Sequence, residues 1–245
     1  AEARNQGKFA DIGADEYTFR QTRYASRTGG AEEACINWKL PCSLQAALDA
    51  AEEGDLIKLD AGVYSTITDR NGHQTVGYVE KTVTIQGGYC STDVPGGVPV
   101  SGIVDCDWEH LFPDKYPAII NPGGQGRGLT VVGKVSPEIF EIHLTGGDAE
   151  WGGGLYVLTA TAVLSRVQIY ANTAISGGGL FLQGSEALLW DSAVTTNTAE
   201  EGGGIYLFQK AAATILSDTL RANSAGYGGG LYVYALYDVT TEAGA

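Results

Sequence analysis

"YANTAISGGGLFL", residues 170–182, decides the fold because it recurs. "GGGLYV" begins at Gly152, "GGGLFL" at Gly177, "GGGIYL" at Gly202 and "GGGLYV" again at Gly228, so the spacings are 25, 25 and 26 residues. A second mark keeps the same period: Asn172 in "ANTA", Asn197 in "TNTA" and Asn223 in "ANSA". Between the marks lie β-favouring segments, 162–170, 187–196 and 213–221, none with a helical stripe. Short strands separated by glycine and asparagine turns at this period predict a right-handed parallel β-helix, an all-β solenoid with one coil per repeat. Its coils stack at the interstrand spacing of about 4.8 Å.

Stacking aligns equivalent residues. Leu155, Leu180, Ile205 and Leu231 are expected in one inward row, with Val157, Leu182, Leu207 and Val233 in the next but one. The position between them holds Tyr156, Phe181, Tyr206 and Tyr232, and alternation sends it to the opposite face as an aromatic ladder on the outside. Such a ladder stacks on itself, lies under a loop, or meets a glycan or a protein. The glycine triplets read as corners that need a positive φ or a close backbone approach; no helix follows them, which excludes a phosphate loop. The asparagines read as a turn ladder whose side-chain amides bond from coil to coil.

Upstream the signal changes from repeat to cap. In "CSLQAALDAAEEGDLIKLDAGVY", residues 42–64, Leu44, Ala47, Leu48 and Ala51 fall on one helical face, Ser43 is a candidate N-cap and Gly54 a stop. This short helix near 43–52 is expected to cover the open end of the core. "DLIKL" and "KTVTIQGGY" (81–89) read as strands of the first coils. The period lapses in an insertion around 90–127 and resumes at "GLTVVG", 128–133. Before all this stands "KFADIGADEYTF", residues 8–19, strand-like and without a local hairpin partner. The expected organisation is an N-terminal arm, 1–23, that could donate a strand, and a β-helix domain, 24–245.

Composition excludes several functions. Fifteen Lys and Arg against 29 Asp and Glu give a net charge of −14, which disfavours nucleic acid and anionic membrane as partners. No apolar run is long enough for a membrane span. The chain has neither an apolar leader at its front nor any methionine, which reads as a processed or excised piece. The four cysteines read as disulfides of an oxidising compartment, Cys35 with Cys42 and Cys90 with Cys106, in preference to a zinc site.

"PCSLQAALDAAEEGDLIKLDAGVY" followed by "TVTIQGGY" resembles the opening of secreted bacterial right-handed β-helix proteins of the pectate-lyase-like superfold. The repeats "YANTAISGGGLFL" and "RANSAGYGGGLYV" are similar to those of polymorphic outer-membrane proteins and of choice-of-anchor β-helix domains. In choice-of-anchor domains a stretch like "DIGADEY" comes after the last glycine-rich coil; here it comes first. The resemblance therefore implies that residues 8–19 close a β-helix that precedes this one, in a tandem chain or in a separate identical subunit.

Three functions are compatible with these features. The first is an extracellular structural subunit joined head to tail, in which Ile12, Tyr17 and Phe19 pack near Leu231 and Val233 of a neighbouring copy or of an adjacent repeat. The second is a polysaccharide lyase or hydrolase, which needs paired carboxyls or an acid beside a base. Arg166, Asp191 and Asp218 at aligned positions, the acidic patch "DCDWEH" (105–110) and the isolated His73 and His143 supply no such arrangement in the sequence. The third is a glycan-binding or adhesive module that uses the aromatic ladder. The first is the expectation, with no catalytic residues, no metal and no cofactor.

Overall fold

A computed structural model of the chain describes residues 20–31, 34–91, 107–110, 113 and 116–234. Its strands are short because each coil turns a corner every few residues, and they assemble into four sheets, here A to D, in sequence-distant order. The chain enters on β1 (Thr22–Gly30), crosses helix α1 (Leu44–Ala50), and begins coil 1 with β2 (Leu56–Asp60), β3 (Gly62–Tyr64) and a hairpin of β4 (Thr68–Arg70) and β5 (His73–Val79). Coil 2 comprises β6 (Thr84–Ser91), β7 (Asp107–His110), β8 (Ala118–Ile120) and β9 (Arg127–Val132). From there each coil visits sheets A, B, D and C in turn. Coil 3 is β10 (Glu138–Phe140), β11 (Ile142–Thr145), β12 (Asp148–Trp151) and β13 (Leu155–Leu158). Coil 4 is β14 (Thr161–Ser165), β15 (Gln168–Tyr170), β16 (Thr173–Ser176) and β17 (Leu180–Gln183). Coil 5 is β18 (Glu186–Trp190), β19 (Ala193–Thr195), β20 (Thr198–Glu201) and β21 (Ile205–Phe208). Coil 6 is β22 (Ala212–Leu216), β23 (Thr219–Arg221), β24 (Ser224–Tyr227) and β25 (Leu231–Tyr234). The result is a parallel β-solenoid of about six turns, about 26 residues each.

Register turns the sequence period into columns. Ile57, Ile85, Ile139, Leu164, Leu189 and Ile215 stack inward on sheet A. Leu129, Leu155, Leu180, Ile205 and Leu231 do so on sheet C, with Val131, Val157, Leu182, Leu207 and Val233 two positions on. Each fully buried aliphatic side chain in these rows contributes about 1.5–3 kcal/mol. Sheet D is lined inside by Ala149, Ala174, Ala199 and Ala225, small because the glycine corners pass close by. The triplet Gly177–Gly179 shows why: Gly177 has φ 68°, and a Cβ at Gly178 or Gly179 would sit 2.5 Å from Thr198 O or 2.6 Å from Gly204 O.

The front of the solenoid is covered in three ways. Ser43 caps α1, its Oγ accepting from Ala46 N–H, and Leu44, Ala47, Leu48 and Ala51 are all buried. Leu44 and Leu48 fill the space left by Gly77, where a Cβ would lie 3.3 Å from each of them. The outer edge of β1 bonds to the loop that the Cys35–Cys42 disulfide closes, through Tyr24 N–H to Cys35 O (2.8 Å) and Ser43 N–H to Gly30 O (2.8 Å). In sheet C, β4 pairs antiparallel with β5 and covers its edge.

Several boundaries differ from the sequence expectation. The solenoid takes in Thr22 and Arg23, because β1 pairs in register with β2, so the arm is shorter than 1–23. β8 lies within the expected insertion and already holds the sheet B register. Asp107–His110 of the acidic patch is strand β7, antiparallel to β6. Segments 162–170, 187–196 and 213–221 are each two strands, broken at Arg166, Asp191 and Ser217 by φ values of 52°, 50° and 60°. Ile12, Tyr17, Phe19 and Cys106 lie outside the described residues; Cys90 is buried.

Candidate assembly interface

Two side-chain columns and one uncovered coil make up the candidate site. Asn172 and Asn197 are buried at the turn between sheets B and D. Asn172 Nδ2 donates to Leu144 O and to Asn197 Oδ1, both at 3.0 Å, and Asn172 N–H donates to the same Asn197 oxygen. One coil on, Asn197 repeats the pattern toward Ile169 O (2.9 Å) and Asn223 Oδ1 (3.0 Å). The left-handed residue of each turn is not the asparagine but its predecessor: Ala171, Thr196 and Ala222 have φ of 52°, 54° and 54°. An amide side chain directly after that residue supplies both the acceptor and the donor that the turn leaves unmatched.

The aromatic column faces away from the aliphatic core, in a cluster of its own. Its rings stack on one another and are covered rather than open: Tyr156, Phe181 and Tyr206 are 2, 3 and 5% exposed. The cover comes from sheet D, whose column Trp151, Ser176, Glu201 and Tyr227 leans over the rings. Trp151 lies 6.3 Å from both Tyr156 and Phe181, and Tyr227 lies 6.3 Å from Tyr232. Burial, with the Glu201 carboxylate that its hydroxyl bonds, pushes the Tyr206 phenol above its ordinary range. Tyr156 Oη donates to Gln183 Oε1 at 2.7 Å, and the Arg127 guanidinium stacks 4.9 Å over its ring. A parallel column, Leu158, Gln183, Phe208 and Tyr234, runs beside it.

Coil 6 differs from every coil before it. Ile205 and Leu207 of coil 5 are 0 and 8% exposed, whereas their partners Leu231 and Val233 are 41 and 56% exposed. Ile215 and Leu220 of the same coil are only partly buried against the core. Among the described residues no strand pairs with the outer edge of β25. Among the described residues coil 6 thus presents a backbone edge and an apolar row together.

The polar residues singled out in the sequence hold corners. Arg166 pairs with Glu141, its equivalent one coil earlier, and Glu141 also accepts from Gln86 Nε2 at 3.1 Å. The 25-residue offset between 141 and 166 was the signal that could have found this pair. Asp218 accepts from Ser192 N–H (2.5 Å) and Leu216 N–H (2.9 Å), and burial pushes its carboxyl up. His73 is not isolated: its Nδ1 accepts from Arg127 Nη1 at 2.9 Å, and burial followed by that guanidinium lowers its pKa. The His143 ring lies 5.8 Å from Tyr170 in an edge arrangement. Lys58 lies 4.5 Å over the Tyr89 ring; burial lowers the lysine and pushes the phenol up to about 12. Among the described residues no three His, Cys, Asp or Glu side chains are grouped so as to hold a metal ion. No described helix is long and apolar enough to cross a membrane.

No protein-family model, curated protein or solved structure matches the chain.

Proposed function

We propose that this protein is an extracellular structural subunit that joins head to tail, residues 8–19 of one copy covering coil 6 of the next. Ile12, Tyr17 and Phe19 would meet the surface around Leu231 and Val233. The observation that carries the proposal is the exposed row of coil 6, directly above a row that is buried one coil earlier. A free strand edge beside exposed aliphatic side chains is what strand addition requires: main-chain bonds give affinity and alternate side chains give specificity. Residues 8–19 lead in sequence into β1 at the front and coil 6 lies at the other end of the described solenoid, so such a contact would be heterologous and would propagate as an open filament unless rotation closes it. The same contact would link adjacent repeats of a tandem chain.

Other features support this reading. The covered aromatic column offers little ring surface to a glycan. The sequence likeness to secreted bacterial β-helix proteins and the Cys35–Cys42 disulfide favour an oxidising, extracellular setting. Deleting residues 1–20 tests the proposal. The truncated chain is expected to keep its β-sheet circular dichroism and to sediment as monomer, while the full chain forms filaments visible by electron microscopy. Filaments of normal length from the truncated chain would overturn it.

A further inference from the structure

The segment that would be donated carries the spacing of a coil corner. In coil 5, Gly202 is followed four residues on by Tyr206 and six on by Phe208; in coil 6, Gly228 is followed in the same steps by Tyr232 and Tyr234. "IGADEYTF", residues 12–19, repeats those steps with Gly13, Tyr17 and Phe19. Each step has its own physical cause. Gly202 and Gly228 turn the corner at φ 62° and 61°, a region that favours glycine. The two aromatic positions head the two outer columns of sheet C, and both columns end in parallel stacking. Tyr206 and Tyr232 are 5.1 Å apart at 19°, and Phe208 and Tyr234 are 5.8 Å apart at 19°. The last rings are uncovered in part, Tyr232 half-buried and Tyr234 exposed.

We infer that residues 12–19 of one copy form a further sheet C strand on β25 of the next, with Tyr17 stacked on Tyr232 and Phe19 on Tyr234. Each of the two stacked ring pairs at the end of sheet C then gains one further ring. This rests on the head-to-tail reading above and specifies its register and its specificity-determining residues. It also moves Tyr17 and Phe19 from the aliphatic row to the outer columns. Glu16 and Thr18 fall instead in the inward rows, over Leu231 and Val233. The front of the solenoid has the same feature, for Arg23 of β1 stands in the inward row over Ile57. An inward polar side chain there needs a partner of its own, as Arg23 has in Asp55. In the segment's own chain the corresponding edge of sheet C is already taken, because β4 pairs with β5 there. Each aromatic pair is expected to strengthen the joint two- to tenfold, roughly, beyond its area alone.

Paired cysteines in the full chain test the register. Tyr17→Cys with Tyr232→Cys should give covalent multimers on oxidation, roughly tenfold faster than Tyr17→Cys with Val233→Cys, because side chains one residue apart on a strand point to opposite faces. Tyr17→Phe should polymerise like the unmodified chain and Tyr17→Ser roughly fivefold less readily. Filaments that link faster through Val233→Cys would overturn this register and leave head-to-tail assembly standing. A full chain that stays monomeric, or an intrachain link between Tyr17→Cys and Asp69→Cys, would overturn both.

Discussion

At the front of the solenoid, α1 lays Leu44 and Leu48 over the core, β4 covers sheet C, and the disulfide loop bonds along the free edge of β1. At coil 6 the same inward rows run out to the surface at Leu231 and Val233. The front even places a charge in the inward row: Arg23 Nε donates to Asp55 at 2.6 Å, and Arg23 Nη1 donates to Ala34 O at 2.5 Å. Among the described residues, then, one end of the solenoid is finished and the other is not. In a stacked array each coil gains its stability from two neighbours, so the coil with one neighbour is the least stable and the most receptive.

The largest expected effect breaks the finished end. Arg23→Met leaves Asp55 buried with no cation beside it, and Asp55 Oδ1 already has no bonding partner. A loss of about 3–5 kcal/mol is expected in urea unfolding, most of it recovered when Asp55→Leu is added. Next is a matched pair on one row. Leu180→Ala in coil 4 should cost about 3 kcal/mol, and Phe181→Ala a similar amount because its ring is covered. Leu231→Ala in the unassembled protein should cost less than about 1 kcal/mol. Equal costs at Leu180 and Leu231 would erase the contrast between the coils.

Smaller effects sharpen it. Replacing Cys35 and Cys42 by Ser opens a short loop and should cost about 2 kcal/mol, measured against the same urea curve without reductant. The smallest is a pH effect at the front. His73 must be neutral to accept from Arg127, and its pKa lies below the ordinary 6.5, with Asp69 the opposing carboxylate nearby. Its contribution is fully present above pH 6.5 and is lost as pH falls toward the lowered folded value. The melting temperature of the native chain should accordingly drop more between pH 7 and 5.5 than that of His73→Gln.

The parts legible in the sequence are those that repeat the same residue type at the same step. Leu, Gly, Asn and Tyr recur every 25 or 26 residues, so the rows, corners and asparagine column could be read directly. Helix α1 was legible from its apolar face and Ser43. The corner between sheets A and B was not, because Arg166, Asp191 and Ser217 share a left-handed backbone but no side-chain chemistry. The cover over the aromatic rings was hidden for the same reason: Trp151, Ser176, Glu201 and Tyr227 occupy one column but form no recognisable repeat. Alternation along a strand gives the face a residue points to; it does not say whether a neighbouring sheet leans over that face. The contact between Arg127 and His73 joins coils that are not yet regular, so no fixed offset marks it.

Hydrogen exchange tests the contrast between the ends most directly. A chain lacking residues 1–20 is mixed with a peptide of residues 8–19, and amide exchange is followed strand by strand. Strand β25 is expected to exchange faster than β21 in the chain alone and to become protected when the peptide is added, with β1 and β4 unchanged. Protection that appears at β1 or β4, or a β25 already as slow as β21 without peptide, would contradict it.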